Sequence, residues 1–281
     1  MPNVLVTGGN TGIGLALCTQ LVLEHGCRVF LGSRSLEKGA SAVQSIVEQG
    51  PSGIADRIEV VQCDIGSSDS VSAAARTIKA RLGDEKLYAI VNNAGCGLAH
   101  GVTEEDMFNT NLYGTKRAVD AFLPLLDADE GRIVSVGSGA GPMYLKSQSD
   151  AAKVALTTPG TTWEELDAFM KAERASKDFK GWPAYGLSKA ALAAYSMSLA
   201  AAHPNVLSMT ITPGFIETAL TAGMGARKKP EEGTVSIRRC LFEDKSKLVN
   251  GAYYGSDGLR SPLTRGRDPG TPEFTGSEGY A

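Results

Sequence analysis

The chain has 281 residues, 42% of them hydrophobic and 21% charged, which is ordinary for one large soluble globular domain. Its 28 basic and 31 acidic side chains leave a net charge of -3, so composition gives no electrostatic reason to expect nucleic acid or an anionic membrane as a partner. Five cysteines without C-x-x-C spacing and three scattered histidines predict neither a disulfide framework nor a metal site. No apolar run reaches membrane-spanning length, and the chain opens on a strand-like stretch without a basic leader, so we expect a cytoplasmic protein.

Short runs rich in Val and Ile alternate with segments of helical period along most of the chain. The runs predict buried strands that begin near residues 3, 28, 58, 88, 132 and 206. The segments between them predict helices at about 12 to 25, 36 to 49, 68 to 82, 103 to 127 and 184 to 203. This alternation predicts an α/β domain with a Rossmann-type, doubly wound parallel sheet, helices on both faces, and ligands at the carboxyl ends of the strands.

Two segments interrupt the alternation. Residues 141–183 form a long insertion between a strand and the next helix, and the middle of this insertion predicts a helix capped by Thr161 or Thr162. An excursion of this length near strand ends often shapes a binding site. The residues from 255 to 281 are rich in Gly and Pro and predict an irregular C-terminal tail, which leaves 1–254 as the folded domain.

A glycine-rich stretch, "VLVTGGNTGIGLAL", places Gly8, Gly12 and Gly14 between the first strand and the first helix. Glycines there let the backbone approach a pyrophosphate at the helix N-terminus, so the stretch predicts a dinucleotide site; the alternative is a plain turn. The second strand ends in "GSRS", where Arg34 stands in place of the acid that binds the ribose of NAD. A guanidinium favours the 2′-phosphate of NADP, unless Arg34 is only a solvated surface charge.

The later motifs also fall at strand ends or on the helix that follows. "VNNAG" contains Asn92, "NTNLYG" contains Asn111, "VSVGSGAG" contains Ser138, and "TPGFIET" follows the sixth strand. In "WPAYGLSK", Tyr185 and Lys189 stand one helical turn apart on one face. Alone, this last pair would be explained by Lys189 snorkelling along an apolar surface, so its meaning depends on the other motifs.

Taken in order over residues 4–218, these motifs resemble the short-chain dehydrogenase/reductase family, and within it they are most similar to the monomeric NADPH-dependent carbonyl reductases. The resemblance implies an NADP(H)-dependent enzyme that reversibly transfers hydride to a ketone or aldehyde. It implies a catalytic set of Asn111, Ser138, Tyr185 and Lys189. The cofactor-binding residues that it implies are Gly8, Asn10, Thr11, Gly12, Ile13, Gly14, Arg34, Asp64, Ile65, Asn92, Ala94, Gly95, Tyr185, Lys189, Pro213, Gly214, Ile216 and Thr218.

The catalytic set has a chemical rationale. A phenol with a pKa near 10 is a slow acid at neutral pH, so we expect Lys189 to lower the pKa of Tyr185 and Ser138 to hydrogen-bond the substrate oxygen. The resemblance further implies that Lys189 holds the nicotinamide ribose and that Asn111 anchors a water that links Lys189 to solvent. The alternatives are that Asn111 caps a turn and that Ser138 satisfies backbone groups at a strand end.

At two of the cofactor-binding positions the sequence leaves another role open or departs from the family pattern. Asp64, which the resemblance places against adenine, has the alternative role of a helix cap. At Thr11 the chain departs from the carbonyl reductases, which usually carry a basic residue there, so the preference for NADP rests on Arg34. Cys96, directly after "NNAG", lies close to the cofactor in this scheme, and burial accounts for it without a redox role.

The substrate and the assembly state are predicted from apolar side chains. Met143, Tyr144, Trp182 and Phe215 lie in the segments expected to wall the substrate, which suggests a bulky apolar or aromatic carbonyl compound. The amphipathic run in the insertion presents apolar residues at helical spacing, namely Trp163, Leu166, Phe169 and Met170. We expect this helix to cover the surface through which other family members pair, giving a monomer; the alternative is that it folds back over the substrate.

Two other functions fit parts of the pattern. A non-catalytic NADP-binding sensor or scaffold of the same fold would be favoured by loss of the tyrosine or the lysine, and neither is lost. An enoyl reductase would space these two residues more widely than Tyr185 and Lys189.

Overall fold

The computed structural model describes residues 1–97, 101–176 and 181–276. Its strands are β1 (Asn3–Val6), β2 (Arg28–Ser33), β3 (Ile58–Gln62), β4 (Ala89–Asn92), β5 (Arg132–Val136), β6 (Leu207–Ile211) and β7 (Tyr253–Tyr254). They form a parallel sheet in the order β3-β2-β1-β4-β5-β6-β7. The strand order reverses between β1 and β4, which is where ligands bind in sheets of this kind. The predicted fold class and six strands are confirmed; β7 has two residues, too few to show a pattern in the sequence.

Helices cover both faces of the sheet. They are α1 (Gly12–Leu23), α2 (Leu36–Gln49), α3 (Ser68–Leu82), α4 (Glu104–Phe108), α5 (Thr115–Phe122), α6 (Ala140–Lys146), α7 (Asp150–Thr157), α8 (Trp163–Ser176), α9 (Trp182–Ala202) and α10 (Val235–Phe242). Buried residues of α1, α2 and α10 form a core on one face, and those of α3, α5 and α9 form the core on the other. Within the three described ranges, no helix has the length and apolar character needed to cross a bilayer.

The helix predicted over residues 103–127 is wrong as a single element. It consists of α4, a π-helical turn over Asn109–Gly114, α5, and a 3₁₀ turn over Leu123–Leu125. The interruption has a local cause, because the Asn111 side chain is hydrogen-bonded to the backbone of Cys96 and to Ser188, and a π turn marks the point where the helix accommodates it. Helix α10 was not predicted; it has eight residues, fewer than the helices that the periodicity indicated.

The insertion at 141–183 contains most of α6, together with α7 and α8. Of the two predicted caps, Thr162 is the residue that caps α8. Its Oγ1 accepts a hydrogen bond from the backbone N–H of Glu165 at 3.2 Å. The Glu165 carboxylate accepts in return from the Thr162 backbone N–H at 2.8 Å. This reciprocal capping box fixes where α8 begins.

The described part of the C-terminal tail, 255–276, has no regular secondary structure but packs against the sheet. Its backbone folds back along β7, where the Ser261 N–H donates to the Tyr253 carbonyl at 2.8 Å. Leu263 is 1% exposed and joins the core formed with α9. An ion pair between Asp257 and Arg267 closes a loop within this segment. The tail is therefore irregular in backbone and well packed.

Candidate active site

The glycine-rich loop between β1 and α1 is shaped by two glycines with left-handed backbone. Gly8 and Gly12 have φ angles of 65° and 53°, a region that favours glycine. A Cβ at position 8 would lie 3.0 Å from Ala94 Cα, and one at position 12 would lie 3.2 Å from Thr218 Cγ2. Side chains there would fill the space above the N-terminus of α1. The loop is thus a cradle of backbone N–H groups suited to a pyrophosphate.

Gly14 serves a different purpose in the same loop. A Cβ there would lie 2.3 Å from the Gly8 carbonyl oxygen and 2.4 Å from Asn93 Nδ2, a clash with backbone that no side chain relieves. Asn93 Nδ2 donates to the carbonyl oxygens of Thr7 and Gly8, at 2.9 and 3.0 Å. Gly14 and Asn93 together hold the start of α1 against β1, so Gly14 acts through packing.

Positive side chains stand at the next strand end. Arg34 follows β2, and Lys38 lies in the first turn of α2, whose N-cap is Ser35. Both cations line the cleft and are exposed, and neither forms an ion pair with a described residue. A cation in the first turn of a helix opposes the helix dipole, so an anion at this point would relieve an unfavourable arrangement.

Asp64 and Ile65 line the same part of the cleft, after β3. Asp64 Oδ1 accepts from the Gly66 backbone N–H at 2.9 Å, which closes a turn. The N-cap of α3 is Ser67, which accepts from the Ser70 N–H at 3.3 Å, so Asp64 does not cap that helix. Asp64 is left facing the cleft with its second carboxylate oxygen available.

The chemistry-bearing side chains meet at the end of β5. Ser138 follows this strand, and Tyr185 and Lys189 project from α9 into the same cleft. Tyr185 is 8% exposed and Lys189 is 6% exposed, so water has little access to either. Lys189 Nζ lies 5.8 Å from the centroid of the Tyr185 ring and donates to the Val136 carbonyl at 3.0 Å.

The pKa values of this pair correct one expectation. We expected Lys189 to lower the pKa of Tyr185; in the protein by itself, burial raises the pKa of Tyr185, and only a hydrogen bond with Ser138 opposes that rise. Burial also lowers the pKa of Lys189 to about 8. The expectation is wrong for the protein without cofactor, because desolvation dominates at Tyr185 and the Lys189 ammonium is hydrogen-bonded to the Val136 carbonyl rather than to the phenol.

Asn111 stands behind the cleft. Its Nδ2 donates to the Cys96 carbonyl at 3.0 Å and to Ser188 Oγ at 3.1 Å, and its Oδ1 accepts from the Cys96 N–H at 3.0 Å. Asn111 Oδ1 and Lys189 Nζ both lie within 3.4 Å of the space that a side chain on Gly95 would occupy. The side chain is thus close to Lys189, and it is held by backbone groups and a buried serine.

Apolar side chains surround the open end of the cleft. Trp182 and Phe215, both predicted to wall the substrate, line it together with Met224, and the three are 48%, 50% and 45% exposed. The prediction is wrong for Tyr144, which is buried in the core, and for Met143, which is exposed outside the cleft. The ring of Trp182 lies 5.9 Å from that of Tyr185, so it stands beside the reacting end of the cleft. Leu220 reaches across from the segment after β6, because Gly97 beneath it has no side chain and a Cβ there would lie 3.0 Å from Leu220.

The structure brings most of the predicted residues into this one cleft of about 540 Å³. Those that line it are Gly8, Asn10, Thr11, Gly12, Ile13, Arg34, Asp64, Ile65, Ala94, Gly95, Ser138, Tyr185, Lys189, Pro213, Gly214, Ile216 and Thr218. Gly14, Asn92 and Asn111 lie behind it instead. Asn92 is buried and donates to Ser135 Oγ at 3.4 Å, because the alternation of side chains along β4 turns position 92 into the core and position 93 toward the loop.

Sequence reasoning missed Lys38, Asn93 and Leu220. Lys38 could have been identified from the sequence, since a lysine in the first turn of a predicted helix is unfavourable unless an anion lies nearby. Asn93 was one of two adjacent asparagines, and the choice between them depends on the phase of β4. Nothing in the sequence pointed to Leu220, because its place follows from the path of the loop after β6.

The fold and this cleft define a class of protein: an oxidoreductase that uses a nicotinamide dinucleotide. A family model described as short chain dehydrogenase matches residues 2–161. Short-chain dehydrogenase/reductase 1 of Saponaria officinalis is 33% identical over 275 residues, covering 85% of this chain and 89% of that protein. Human carbonyl reductase (NADPH) 1 is 31% identical over 250 residues, covering 82% and 86%.

A solved structure agrees with these matches. Salutaridine reductase from Papaver somniferum superposes with a TM-score of 0.77 at 26% identity, covering 90% of this chain and 99% of that one. The chain belongs to the short-chain dehydrogenase/reductase family, as its motifs predicted.

Proposed function

We propose that the protein is an NADPH-dependent reductase that transfers hydride to the carbonyl carbon of a ketone or aldehyde, and that it also catalyses the reverse oxidation. One observation carries the proposal: Ser138, Tyr185 and Lys189 meet in the same cleft as the glycine-rich loop. The named activities of relatives, a neomenthol dehydrogenase and a carbonyl reductase among them, support the same reaction class.

Three residues of the cleft take part in protonating the product, each in a different role. When bound, the reduced nicotinamide supplies the hydride. The Tyr185 hydroxyl donates its proton to the oxygen that becomes an alkoxide, and the Ser138 hydroxyl donates a hydrogen bond to that oxygen. Because burial disfavours a phenolate at Tyr185, a positive charge beside it is needed as the proton leaves, and Lys189 is the residue placed to give it.

The proton has to be replaced after each turnover. Lys189 has a pKa of about 8, so it can both hold and release a proton near neutral pH. Asn111 lies next to Lys189, and we propose that it anchors the water that passes protons from solvent to Lys189. Its firm attachment to the Cys96 backbone and to Ser188 keeps this anchor in place.

NADPH rather than NADH is proposed because of the charges after β2. A 2′-phosphate would face Arg34 and Lys38, which have no acidic partner among the described residues, and it would compensate a cation in the first turn of α2. The glycine cradle at Gly8 and Gly12 suits the pyrophosphate of the same molecule. Both ends of the cleft therefore fit an NADP(H) dinucleotide.

A bulky apolar or aromatic carbonyl compound is the proposed substrate. Trp182, Phe215 and Met224 leave about half of their surface exposed at the mouth of the cleft, where a ligand would cover it. Trp182 lies beside Tyr185, so an aromatic or alicyclic group attached to the carbonyl would pack on the indole.

A monomer is proposed from the position of α8. Leu166 and Met170 are fully buried, and the Trp163 ring packs edge-on against Tyr113, from the π turn, and Tyr195, from α9. Helix α8 thus covers the outer surface of the two helical segments through which family members commonly pair. A cytoplasmic location is proposed as well, and five free cysteines are consistent with a reducing compartment.

The test is a panel of aliphatic, alicyclic and aromatic ketones and aldehydes, with NADPH and NADH oxidation followed at 340 nm. We expect turnover with NADPH, higher kcat/KM for the bulky apolar members, and a loss of about 10²-fold to 10⁴-fold in Tyr185→Phe with NADPH binding kept. Tight NADPH binding with no turnover on any compound would favour a non-catalytic sensor instead.

A further inference from the structure

Two buried glycines bring α6 and α9 into backbone contact. A Cβ on Gly141 would lie 3.2 Å from the backbone N of Ala190 and 3.2 Å from the backbone C of Lys189. A Cβ on Gly186 would lie 2.8 Å from Tyr144 Cβ. Each helix therefore contributes one glycine to the contact, and each glycine faces the other helix.

Neither glycine is required by its own backbone. Both lie within helices, and neither has a positive φ. Glycine inside a helix is less favourable than alanine by about 1 kcal/mol, so a helix of ordinary packing would carry alanine at these positions. The absence of a side chain is explained by the close approach of the two helices.

These two helices carry the residues that meet in the cleft. Ser138 lies immediately before α6, where its Oγ accepts from the Ala140 N–H at 3.2 Å and its carbonyl accepts from the Gly141 N–H at 3.1 Å. Tyr185 precedes Gly186 on α9, and Gly141 lies against the backbone of Lys189. The separation of the helices therefore sets the separation of Ser138 from Tyr185.

We infer that Gly141 and Gly186 are positioning residues for carbonyl reduction, because the backbone contact they allow holds Ser138 and Tyr185 together in the cleft. The inference rests on the proposed function. A methyl group at either position drives α6 outward, and a hydrogen bond weakens steeply with such a shift. Neither glycine lines the cleft, so both act only through Ser138 and Tyr185.

The test uses Gly141→Ala and Gly186→Ala in the full chain. We expect kcat to fall by about 10²-fold where the helices move by about 1 Å, and by less where a few tenths of an ångström relieve the contact. KM for NADPH should be unchanged because Arg34 and Lys38 lie at the far end of the cleft. Gly186→Ala should lose more of its kcat than Gly141→Ala. The added methyl group lies 2.8 Å from the Tyr144 Cβ in Gly186→Ala, and 3.2 Å from its nearest neighbours in Gly141→Ala. The looser contact makes Gly141→Ala the variant expected to fold.

The pH profile of alcohol oxidation separates positioning from simple destabilisation. That direction requires the phenolate of Tyr185, and the Ser138 hydrogen bond lowers the pKa of Tyr185. Loss of the bond should move the half-maximal pH upward in both variants. Val71→Ala on α3, a buried residue outside the cleft, is the matched control: it loses stability and keeps kcat and the pH profile.

A crystal structure of Gly141→Ala gives a readout that does not depend on activity. We expect Ser138 Oγ to lie farther from the Tyr185 hydroxyl there than in a crystal structure of the wild-type protein. Wild-type kcat and an unmoved pH profile in Gly141→Ala overturn the inference, as does an equal loss of kcat in Val71→Ala. Should the wild-type protein reduce no carbonyl compound, the proposed function fails. The distance between Ser138 Oγ and the Tyr185 hydroxyl in the variant crystal still decides the inference, since an unchanged distance contradicts it.

Discussion

Replacing Lys189 with Met should stabilise the protein in the absence of cofactor while abolishing reduction. Burial lowers the pKa of Lys189 from 10.5 to about 8, and one pKa unit corresponds to about 1.36 kcal/mol, so the charged side chain costs about 3 kcal/mol of unfolding free energy at pH 7. The variant also loses the hydrogen bond to the Val136 carbonyl, which offsets about 1 kcal/mol of the stability gained by removing the buried charge. The net gain is about 2 kcal/mol, or roughly 4 to 8 °C in Tm for a chain of this size.

The stability gained in Lys189→Met should depend on pH, and this dependence is a more specific test than its size at pH 7. Between pH 8 and 10.5, the unfolded chain holds a proton on Lys189 that the folded chain has released, so the stability of the wild-type protein rises with pH through this window relative to the variant. The difference in Tm should therefore be full at pH 7 and mostly gone by pH 10.

Differential scanning calorimetry of both proteins without cofactor, from pH 6.5 to 10, measures this directly. Other groups titrate over the same range, but they are common to the two proteins and cancel in the difference. Equal Tm values at pH 7, or a constant difference across the range, would refute the idea that Lys189 is held as a destabilised charge.

Three further predictions follow from the other parts of the site. Arg34→Ala and Lys38→Ala should each raise KM for NADPH by about 10-fold or more and leave KM for NADH nearly unchanged, since a hydrogen bond to a charged group contributes about 1.5 to 3 kcal/mol. Steady-state kinetics with both cofactors checks this, and an equal change in the two KM values would mean that the 2′-phosphate binds elsewhere. Trp182→Ala should raise KM for aromatic ketones more than for small aliphatic ones, with KM for NADPH as the control. Sedimentation equilibrium at micromolar concentration should give a mass near 29.4 kDa, and a mass near twice that value means that α8 does not prevent pairing.

Local spacing explains what could be predicted from the sequence. Tyr185 and Lys189 share a helix, so their separation follows from helix geometry, and the glycine-rich loop is placed by the strand and helix on either side of it. Asn92 was misplaced because adjacent residues of a strand face opposite sides, and the sequence did not reveal the phase. The pKa of Tyr185 depends on burial and on where the Lys189 ammonium is hydrogen-bonded, neither of which a motif specifies.

The packing of the tail along β7 bears on how fragments of this protein would behave. A chain ended at residue 254, where the regular elements stop, would uncover the backbone groups of Tyr253 that Ser261 satisfies and the apolar surface that Leu263 covers. Exposed strand backbone of this kind templates pairing between copies, so such a fragment would gain a route to aggregation. The irregular segment thus protects solubility, and the natural boundary for expression lies beyond the last strand.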